Sequence, residues 1–176
     1  AMQIVVFEDE LVSRLYPITI GRPAYAINCG SFRLVDGLAR LAERAKDSLA
    51  AVVRPHLASI QRLDLTQFSA LPTQTSRPLL LVNARTVPCV QNFEALGALA
   101  ASGRTAAVEE NGSLAAALVA EGGPAPPADE RVESWQKYAK SVLREAPAAY
   151  VRLKLLDYPH DVVRHNLATI DGNLNE

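Results

Sequence analysis

A short segment near the start of the chain concentrates side chains that could bind phosphate or a cation. Arg14 and Arg22 carry planar guanidinium groups, whose rigid donor fork suits phosphate oxygens. Just before them stand Glu8, Asp9 and Glu10, whose oxygens are the kind of ligand that Mg²⁺ prefers. The competing interpretation of these three carboxylates is a solvated acidic turn. The segment is therefore a candidate phosphate site, with or without a metal, and the competing interpretation of Arg14 and Arg22 is a surface or packing role in an Arg-rich chain.

Two further candidates follow the most hydrophobic run of the chain, residues 79–82. Asn83 could hydrogen-bond a base or a sugar, although a strand-ending turn residue is an equally natural interpretation. Arg85 could place a functional positive charge at the end of this run, or it could be an exposed strand-end arginine. The remaining metal-type side chains lack the spacing of a metal site, and we expect them to be structural: His56, His160, His165, Cys29 and Cys89.

The elements that position these residues follow from hydrophobic patterning. Buried strands are predicted at 4–7, 50–54 and 79–82, and the Asn111-Gly112 pair predicts a hairpin between 105–109 and 113–119. Helices are predicted after Ser31 as N-cap, at 92–101 and at 130–143, while 148–156 fits a strand or a helix. Alternation of strands and helices predicts an α/β fold of three layers with a mostly parallel central sheet. Ligands of such sheets bind beyond the carboxyl ends of the strands, which is where residues 8–31 begin.

Composition excludes several classes of protein. The 176 residues carry 18 basic and 19 acidic side chains, so a dedicated binder of nucleic-acid polymers is not expected. We also expect no membrane contact, because no apolar run approaches spanning length. Two distant cysteines exclude a disulfide scaffold and favour a cytoplasmic protein.

One stretch of the chain resembles the N-terminal signature of the sugar-1-phosphate nucleotidyltransferases. It reads Arg14-Leu15-x-Pro17-x-Thr19-x-x-Arg22-Pro23, followed by Gly30 and a helix with Leu34 and Asp36. Weaker collinear likeness covers 80–83 and Asp161-Val162-x-x-x-Asn166. The resemblance implies a shortened nucleotidyltransferase-like, Rossmann-like core. The family's reaction joins an NTP and a sugar 1-phosphate, releases pyrophosphate and uses Mg²⁺.

Carried over residue by residue, the resemblance implies a candidate site. Arg14 and Arg22 would neutralise phosphate charge, and Asn166, Glu8 or Asp9 would hold the metal. Substrate contacts would come from Thr19, Asn28, Gly30, Asn83 and Arg85.

Departures from the family pattern are as informative as the matches. Residues 8–13, with three carboxylates, replace the family's glycine-rich phosphate loop. Ala24 or Tyr25 stands where the family has a phosphate-binding lysine, and Ala84 or Arg85 stands where it has a metal-binding Asp.

These departures leave three hypotheses open. The chain is a nucleotidyltransferase, or an inactive nucleotide-sugar-binding or interaction module attached to a hexapeptide-repeat acyltransferase-like domain, or a dimerisation domain. The expected partner in the first two cases is a nucleotide or sugar phosphate. We expect one domain over 1–176, with a possible internal boundary near 122–128. The resemblance also implies a missing C-terminal left-handed β-helix, through which the natural protein could form a homo-oligomer.

Overall fold

The computed structural model describes residues 1–64, 68–74 and 76–173. Its centre is a five-stranded sheet in the order β4-β1-β5-β7-β6, accompanied by a two-stranded hairpin of β2 and β3. The strands are β1 (Gln3–Phe7), β2 (Asn28–Cys29), β3 (Phe32–Arg33), β4 (Ser48–Val52), β5 (Leu79–Asn83), β6 (Ala106–Glu110) and β7 (Ser113–Val119). The helices are α1 (Leu34–Ala45), α2 (Ala58–Asp64), α3 (Val90–Ala101), α4 (Val132–Glu145) and α5 (Pro159–Asn173).

The sheet is mixed but mostly parallel, as the strand and helix pattern predicts. β1 lies between β4 and β5 and runs parallel to both. β7 is antiparallel to β5, and β6 is antiparallel to β7, so β7 alone runs against the other strands of this sheet. The carboxyl ends of β4, β1 and β5 therefore lie side by side at one edge, which we call the carboxyl edge.

Two hydrophobic cores cover the two faces of the sheet and give the domain its three layers. Because side chains alternate along a strand, Ile4 and Val6 enter one core, while Val5 and Phe7 enter the other. The first core includes buried residues of α1 and α3, and the second includes those of α4. On α4, Trp135 and Tyr138 pack edge to face with ring centroids 5.9 Å apart.

Local structure departs from the sequence predictions at two places. Helix α1 begins at Leu34 rather than after Ser31, because the chain first forms the β2–β3 hairpin, whose turn contains Gly30 at a φ of 70°. Residues 148–156 are neither a strand nor a helix. They run across the sheet edge as an irregular segment, held by backbone hydrogen bonds to Ala107 and Arg85.

The remaining predicted turns take their expected form. Asn111 and Gly112 both have positive φ, 50° and 78°, in the tight connection between β6 and β7. The Gly- and Pro-rich stretch 122–128 joins β7 to α4, which packs back on the same sheet. Among the described helices, none combines the length and the apolar character needed to cross a membrane.

Candidate functional site

The carboxyl edge brings together charged residues that are far apart in sequence. Glu8 and Asp9 directly follow β1, Asn83 ends β5 with Arg85 two residues on, and Arg54 lies two residues beyond β4. Parallel strands end at the same edge, so the topology alone makes these five residues neighbours. They form two ion-paired clusters, one around Arg85 and one around Arg54.

Arg85 is completely buried and all of its donor groups are occupied. Its Nε and Nη2 donate to the two carboxylate oxygens of Asp9 at 2.8 and 2.7 Å. Nη1 donates to the Asp157 carboxylate at 2.8 Å and to the Leu156 carbonyl at 2.9 Å, and Nη2 also reaches the Ser113 hydroxyl at 3.3 Å. A guanidinium has five N–H groups, and these contacts account for each of them.

The two carboxylates decide the charge state of this cluster. Burial by itself lowers the pKa of Arg85, but hydrogen bonds and charge attraction from Asp9 and Asp157 outweigh it, so the pKa is raised. The guanidinium therefore stays charged, and its charge is used within the protein.

Asn83 belongs to the same cluster. Its side-chain amide donates to Asp9 at 2.8 Å and to the Leu114 carbonyl at 2.9 Å, while its Oδ1 accepts the backbone N–H of Arg85 at 3.0 Å. Substrate contacts by Asn83 and Arg85 are therefore not compatible with this arrangement, because their polar atoms are buried and already paired. The alternative of an exposed strand-end arginine is also wrong, since Arg85 is 0% exposed.

The second cluster joins Glu8 to Arg54 and to the loop that follows β1. Glu8 is fully buried, and its carboxylate accepts hydrogen bonds from the Ala24 backbone N–H at 3.0 Å and from the Arg54 backbone N–H at 3.1 Å. Arg54 Nε also donates to Glu8, at 2.9 Å. Arg54 Nη2 donates to the carbonyls of Thr19 at 2.7 Å and Arg22 at 3.3 Å, so this ion pair fixes the loop in place.

Arg54 differs from Arg85 because, in the part of the chain that the structure describes, not all of its donor nitrogens have an acceptor. Its side chain is 17% exposed, and its buried Nη1 has no acceptor among the described residues. The guanidinium lies 5.9 Å from the ring centroid of Tyr16, itself about half exposed. Burial lowers the pKa of Arg54, but the Glu8 carboxylate and, to a smaller extent, Tyr16 outweigh it, so the pKa is raised.

The acidic residues at this edge do not fit a magnesium site. Both oxygens of Glu8 and both of Asp9 already accept hydrogen bonds from arginine or backbone donors. Glu10 is paired with Lys140, and Asn166 accepts the Gly30 backbone N–H at 2.6 Å. Within the described part of the chain, no cluster of three His, Cys, Asp or Glu side chains is arranged to hold a metal ion.

These contacts correct two interpretations of the acidic segment. A metal-ligating role for Glu8, Asp9 or Asn166 is not supported, because arginine and backbone donors occupy the oxygens that a cation would need. A solvated acidic turn is also wrong for the first two residues, which are 0% and 9% exposed.

The other predicted site residues divide into exposed and buried groups. Arg14 and Arg22 are exposed, and the Arg14 guanidinium lies 5.8 Å from the ring centroid of Tyr158. Asn28 is exposed in the β2–β3 hairpin. Thr19 is fully buried and its hydroxyl donates to the Val12 carbonyl at 3.4 Å, so in this conformation the hydroxyl faces the protein rather than a ligand.

A cavity of about 430 Å³ lies beside the carboxyl half of β4. Its lining includes Val53, Gln61 and Phe68. Tyr25 connects it to the arginine-bearing loop, because its hydroxyl donates to Gln61 at 2.8 Å and its ring packs edge to face on Phe68 at 5.6 Å. A smaller cavity of about 200 Å³, partly lined by Asp9, Glu10, Gln136 and Lys140, lies beside β1 and α4.

Sequence reasoning missed Arg54 and Asp157. Arg54 carried a usable signal, because it follows β4 much as Glu8 follows β1, and the same edge argument applies to it. Asp157 carried none, since it lies in an irregular segment whose path across the sheet no local pattern predicts.

Comparison with known proteins agrees with this architecture. A sequence model of the family described as sugar nucleotidyl transferase matches residues 4–175. UDP-glucose pyrophosphorylase complexed with UDP-glucose is structurally similar, with a TM-score of 0.54 and 10% identity over 98% of this chain and 100% of that chain. The apo form of UDP-glucose pyrophosphorylase gives a TM-score of 0.51 at 10% identity, over 98% of this chain and 99% of that chain.

At this level of identity the structural likeness establishes the fold alone. Curated protein sequences give no significant match. The family match, however, spans nearly the whole chain and includes the Arg14 to Pro23 stretch that carries the sequence resemblance. The chain belongs to the sugar nucleotidyl transferase family.

Proposed function

We propose that this domain binds the phosphate of a nucleotide or sugar phosphate at its carboxyl edge and does not carry out metal-assisted nucleotidyl transfer. One observation carries the proposal: each buried carboxylate at that edge is neutralised by an arginine of the protein, Glu8 by Arg54 and Asp9 by Arg85. This pairing favours the binding of a phosphate and disfavours the binding of a metal ion.

Neutralisation favours binding of an anion. An unpaired carboxylate beside a phosphate repels it unless a positive charge compensates. Here the arginines supply that positive charge from within. Arg14 and Arg22 remain exposed at the same loop, where guanidinium groups can meet phosphate oxygens in a two-pronged contact.

The same pairing argues against metal-assisted transfer. Charge neutralisation at the reacting phosphate is the main catalytic contribution expected in phosphoryl chemistry. Mg²⁺ would have to displace Arg54 from Glu8 or Arg85 from Asp9, and each displacement would break a charge-assisted contact that holds the carboxylate in place. The glycine-rich phosphate loop of the family is also replaced by residues 8–13.

Space for the rest of the ligand is available beside β4. The cavity there, at about 430 Å³, is of the size typical for small-molecule sites. Two contacts place it near Arg22: Arg54, which follows the cavity-lining Val53, donates to the Arg22 carbonyl, and Tyr25 contacts two lining residues. We therefore assign the phosphate to Arg22 and the sugar or base to this cavity.

The proposal is tested by thermal shift with nucleoside triphosphates, nucleotide sugars and sugar phosphates, each with and without Mg²⁺. A ligand that binds only the folded state raises Tm as its concentration exceeds Kd. We expect a shift that does not need Mg²⁺ and that Arg22→Ala abolishes. Arg104→Ala is the matched control, because Arg104 is exposed just before β6, at the opposite edge of the sheet.

Two results would contradict the proposal in different ways. If no compound raises Tm, or if Arg22→Ala responds like the unaltered protein, the phosphate site is not at this loop. If pyrophosphate is released from a nucleoside triphosphate and a sugar 1-phosphate in the presence of Mg²⁺, binding stands but the domain is an active transferase.

A second candidate function, an interaction module, is favoured by one surface feature. Val163 and Leu167 lie one turn apart on α5 and are 64% and 70% exposed. Contiguous exposed apolar surface, when it is large enough, marks a site of protein–protein contact. Sedimentation velocity over a range of concentrations tests self-association: association that Val163→Glu with Leu167→Glu abolishes would support it, and a monomer at all concentrations would exclude it.

A further inference from the structure

A groove between α1 and α3 lies apart from the carboxyl-edge site. Its volume is about 330 Å³, and it shares no lining residue with the cavity beside β4. Phe32, Leu41, Val90 and Phe93 contribute apolar walls, and each is only partly buried. The groove is large enough for a small organic molecule and offers it an apolar contact surface.

The apolar wall depends on a glycine in the middle of a helix. Gly37 lies in α1, and a Cβ added there would fall 2.1 Å from Cζ of Phe93. Glycine is disfavoured in helix interiors because of its backbone freedom. Its presence at this position allows the Phe93 ring to lie directly against α1 and to form one side of the groove.

Charge at the groove is unbalanced toward positive. Arg40 and Arg44 stand one helical turn apart on α1, and Glu94 of α3 is the one acidic residue among the lining side chains. Within the described residues, no ion pair joins Glu94 to either arginine. Nearby, Asp36 is held by Arg33 in a two-pronged contact at 2.7 and 2.8 Å and also interacts electrostatically with Arg40, so three arginines share this one carboxylate and Glu94.

Aromatic and cationic groups are combined rather than separate. The guanidinium of Arg40 lies over the Phe32 ring, 5.3 Å from its centroid, so the charge borders directly on the apolar wall. Side chains four residues apart on a helix are neighbours, and Arg40 and Arg44 can therefore approach a single anionic group together.

We infer that this groove binds a small amphipathic anion, namely a compact apolar or aromatic ring that carries one carboxylate, sulfonate or phosphate group. The ring packs between Phe32 and Phe93, and the anionic group meets Arg40 and Arg44. Neither an uncharged ring nor a bare anion satisfies both halves of the groove.

Two fluorescent probes of matched shape test the inference on the whole chain. Anilinonaphthalene sulfonate carries the required anionic group, and phenylnaphthylamine presents the same aromatic system without it. We expect saturable binding of the sulfonate, with the neutral probe weaker by about tenfold, because a two-pronged charge-assisted contact is lost. Added salt should weaken the sulfonate and leave the neutral probe unaffected.

Variants then place the site. R40Q with R44Q should weaken the sulfonate about tenfold and leave the neutral probe unchanged, because only the charged contacts are removed. R104Q with R144Q, two exposed arginines away from the groove, is the control and should change neither probe. Circular dichroism melting confirms that each variant remains folded.

The inference is overturned if the sulfonate shows no saturable binding, if both probes bind alike, or if R40Q with R44Q binds it like the unaltered protein. Arg22→Ala should leave the sulfonate affinity unchanged. A loss of nucleotide shift in that variant with intact probe binding therefore separates this groove from the carboxyl-edge site.

Discussion

Two arginines form ion pairs with buried carboxylates at the carboxyl edge, Arg85 with Asp9 and Arg54 with Glu8, but their roles differ. Arg85 is 0% exposed and ties β1, β5, the start of β7 and the segment before α5 to one another. Arg54 is 17% exposed, and besides Glu8 it contacts two carbonyls of the loop that carries Arg22.

The difference shows how position in the sheet decides the role of an ion pair. β5 and β1 are interior strands covered on both faces, so a charge that follows them must be fully paired within the protein. β4 is an edge strand, so Arg54 keeps one side near solvent and retains a donor nitrogen without an acceptor among the described residues. We interpret Arg85 as a structural residue that joins several segments of the fold. We interpret Arg54 as the residue that holds the loop with Thr19 and Arg22, the proposed phosphate-binding loop, in position.

The largest effect is expected for Arg85→Ala. The change leaves Asp9 and Asp157 buried or half-buried without their partner, and removal of one member of a buried pair costs about 3–5 kcal/mol. Urea denaturation should show a free energy of unfolding that is lower by that amount, or a protein that no longer folds.

If Arg85→Ala does not fold, a more conservative double substitution still tests the contribution of Arg85. Arg85→Met combined with Asp9→Asn removes both charges and retains most of the volume. The double variant should be more stable than the sum of the two single effects predicts, as expected for residues in direct contact. Additive effects would show that Arg85 is not coupled to Asp9.

Arg54→Ala should have a smaller effect on stability and a larger one on binding. Loss of charge-assisted hydrogen bonds to a partly exposed group costs about 1.5–3 kcal/mol. Because the loop carbonyls of Thr19 and Arg22 lose their donor, any nucleotide-dependent rise in Tm should shrink in this variant. Arg54→Lys, which retains the charge without the planar fork, should be intermediate, and equal ligand shifts in all three proteins would refute a supporting role.

Asp161 extends the Arg85 cluster into α5 and predicts an acid-dependent loss of stability. Its carboxylate accepts the backbone N–H groups of Asp157 and Tyr158 at 3.0 and 2.9 Å, and Arg164 at 2.7 Å. Burial acts to raise the pKa of Asp161, but these hydrogen bonds and the positive charge of Arg164 outweigh it, so the pKa is lowered.

A lowered folded-state pKa means that the stabilisation is present above the ordinary aspartate pKa, about 3.9, and is lost as pH falls through the folded value. Asp161→Asn should therefore cost about 1 kcal/mol near neutral pH, the scale of a helix-start contact. The difference from the unaltered protein should vanish in acid. Urea titrations across this pH range measure it, and a pH-independent difference would contradict the assignment.

The smallest effect is expected at the exposed end of the same edge. Glu10 and Lys140 form an ion pair in which both side chains are about half exposed or more. Solvent screens such pairs, so Glu10→Gln should change the free energy of unfolding by less than about 0.5 kcal/mol. A larger loss of stability would contradict the expectation that exposed ion pairs at this edge contribute less than buried ones.

Much of the architecture follows from local pattern. The β-branched and leucine runs at 4–7 and 79–82 are strands because they alternate between two buried faces, and Asn111-Gly112 forms a hairpin because both residues tolerate positive φ. The edge argument also singled out the segment after the first strand, which carries Glu8 and Asp9, while Asn83 and Arg85 were separate candidates at the end of another strand. It did not reveal that Arg85 is buried, because its partners Leu156 and Asp157 lie 71 and 72 residues further along the chain.

The sequence by itself determined the α/β class, the sheet edge at which charged residues meet, and the family, since these depend on short-range periodicity and on the Arg14 to Pro23 signature. Only the tertiary structure decided which charged groups are paired inside the protein and which are exposed to solvent. That distinction depends on burial and on partners from distant segments. A guanidinium group surrounded by five acceptors, as in Arg85, has a structural role. A guanidinium group exposed to solvent, as in Arg22, can bind a ligand.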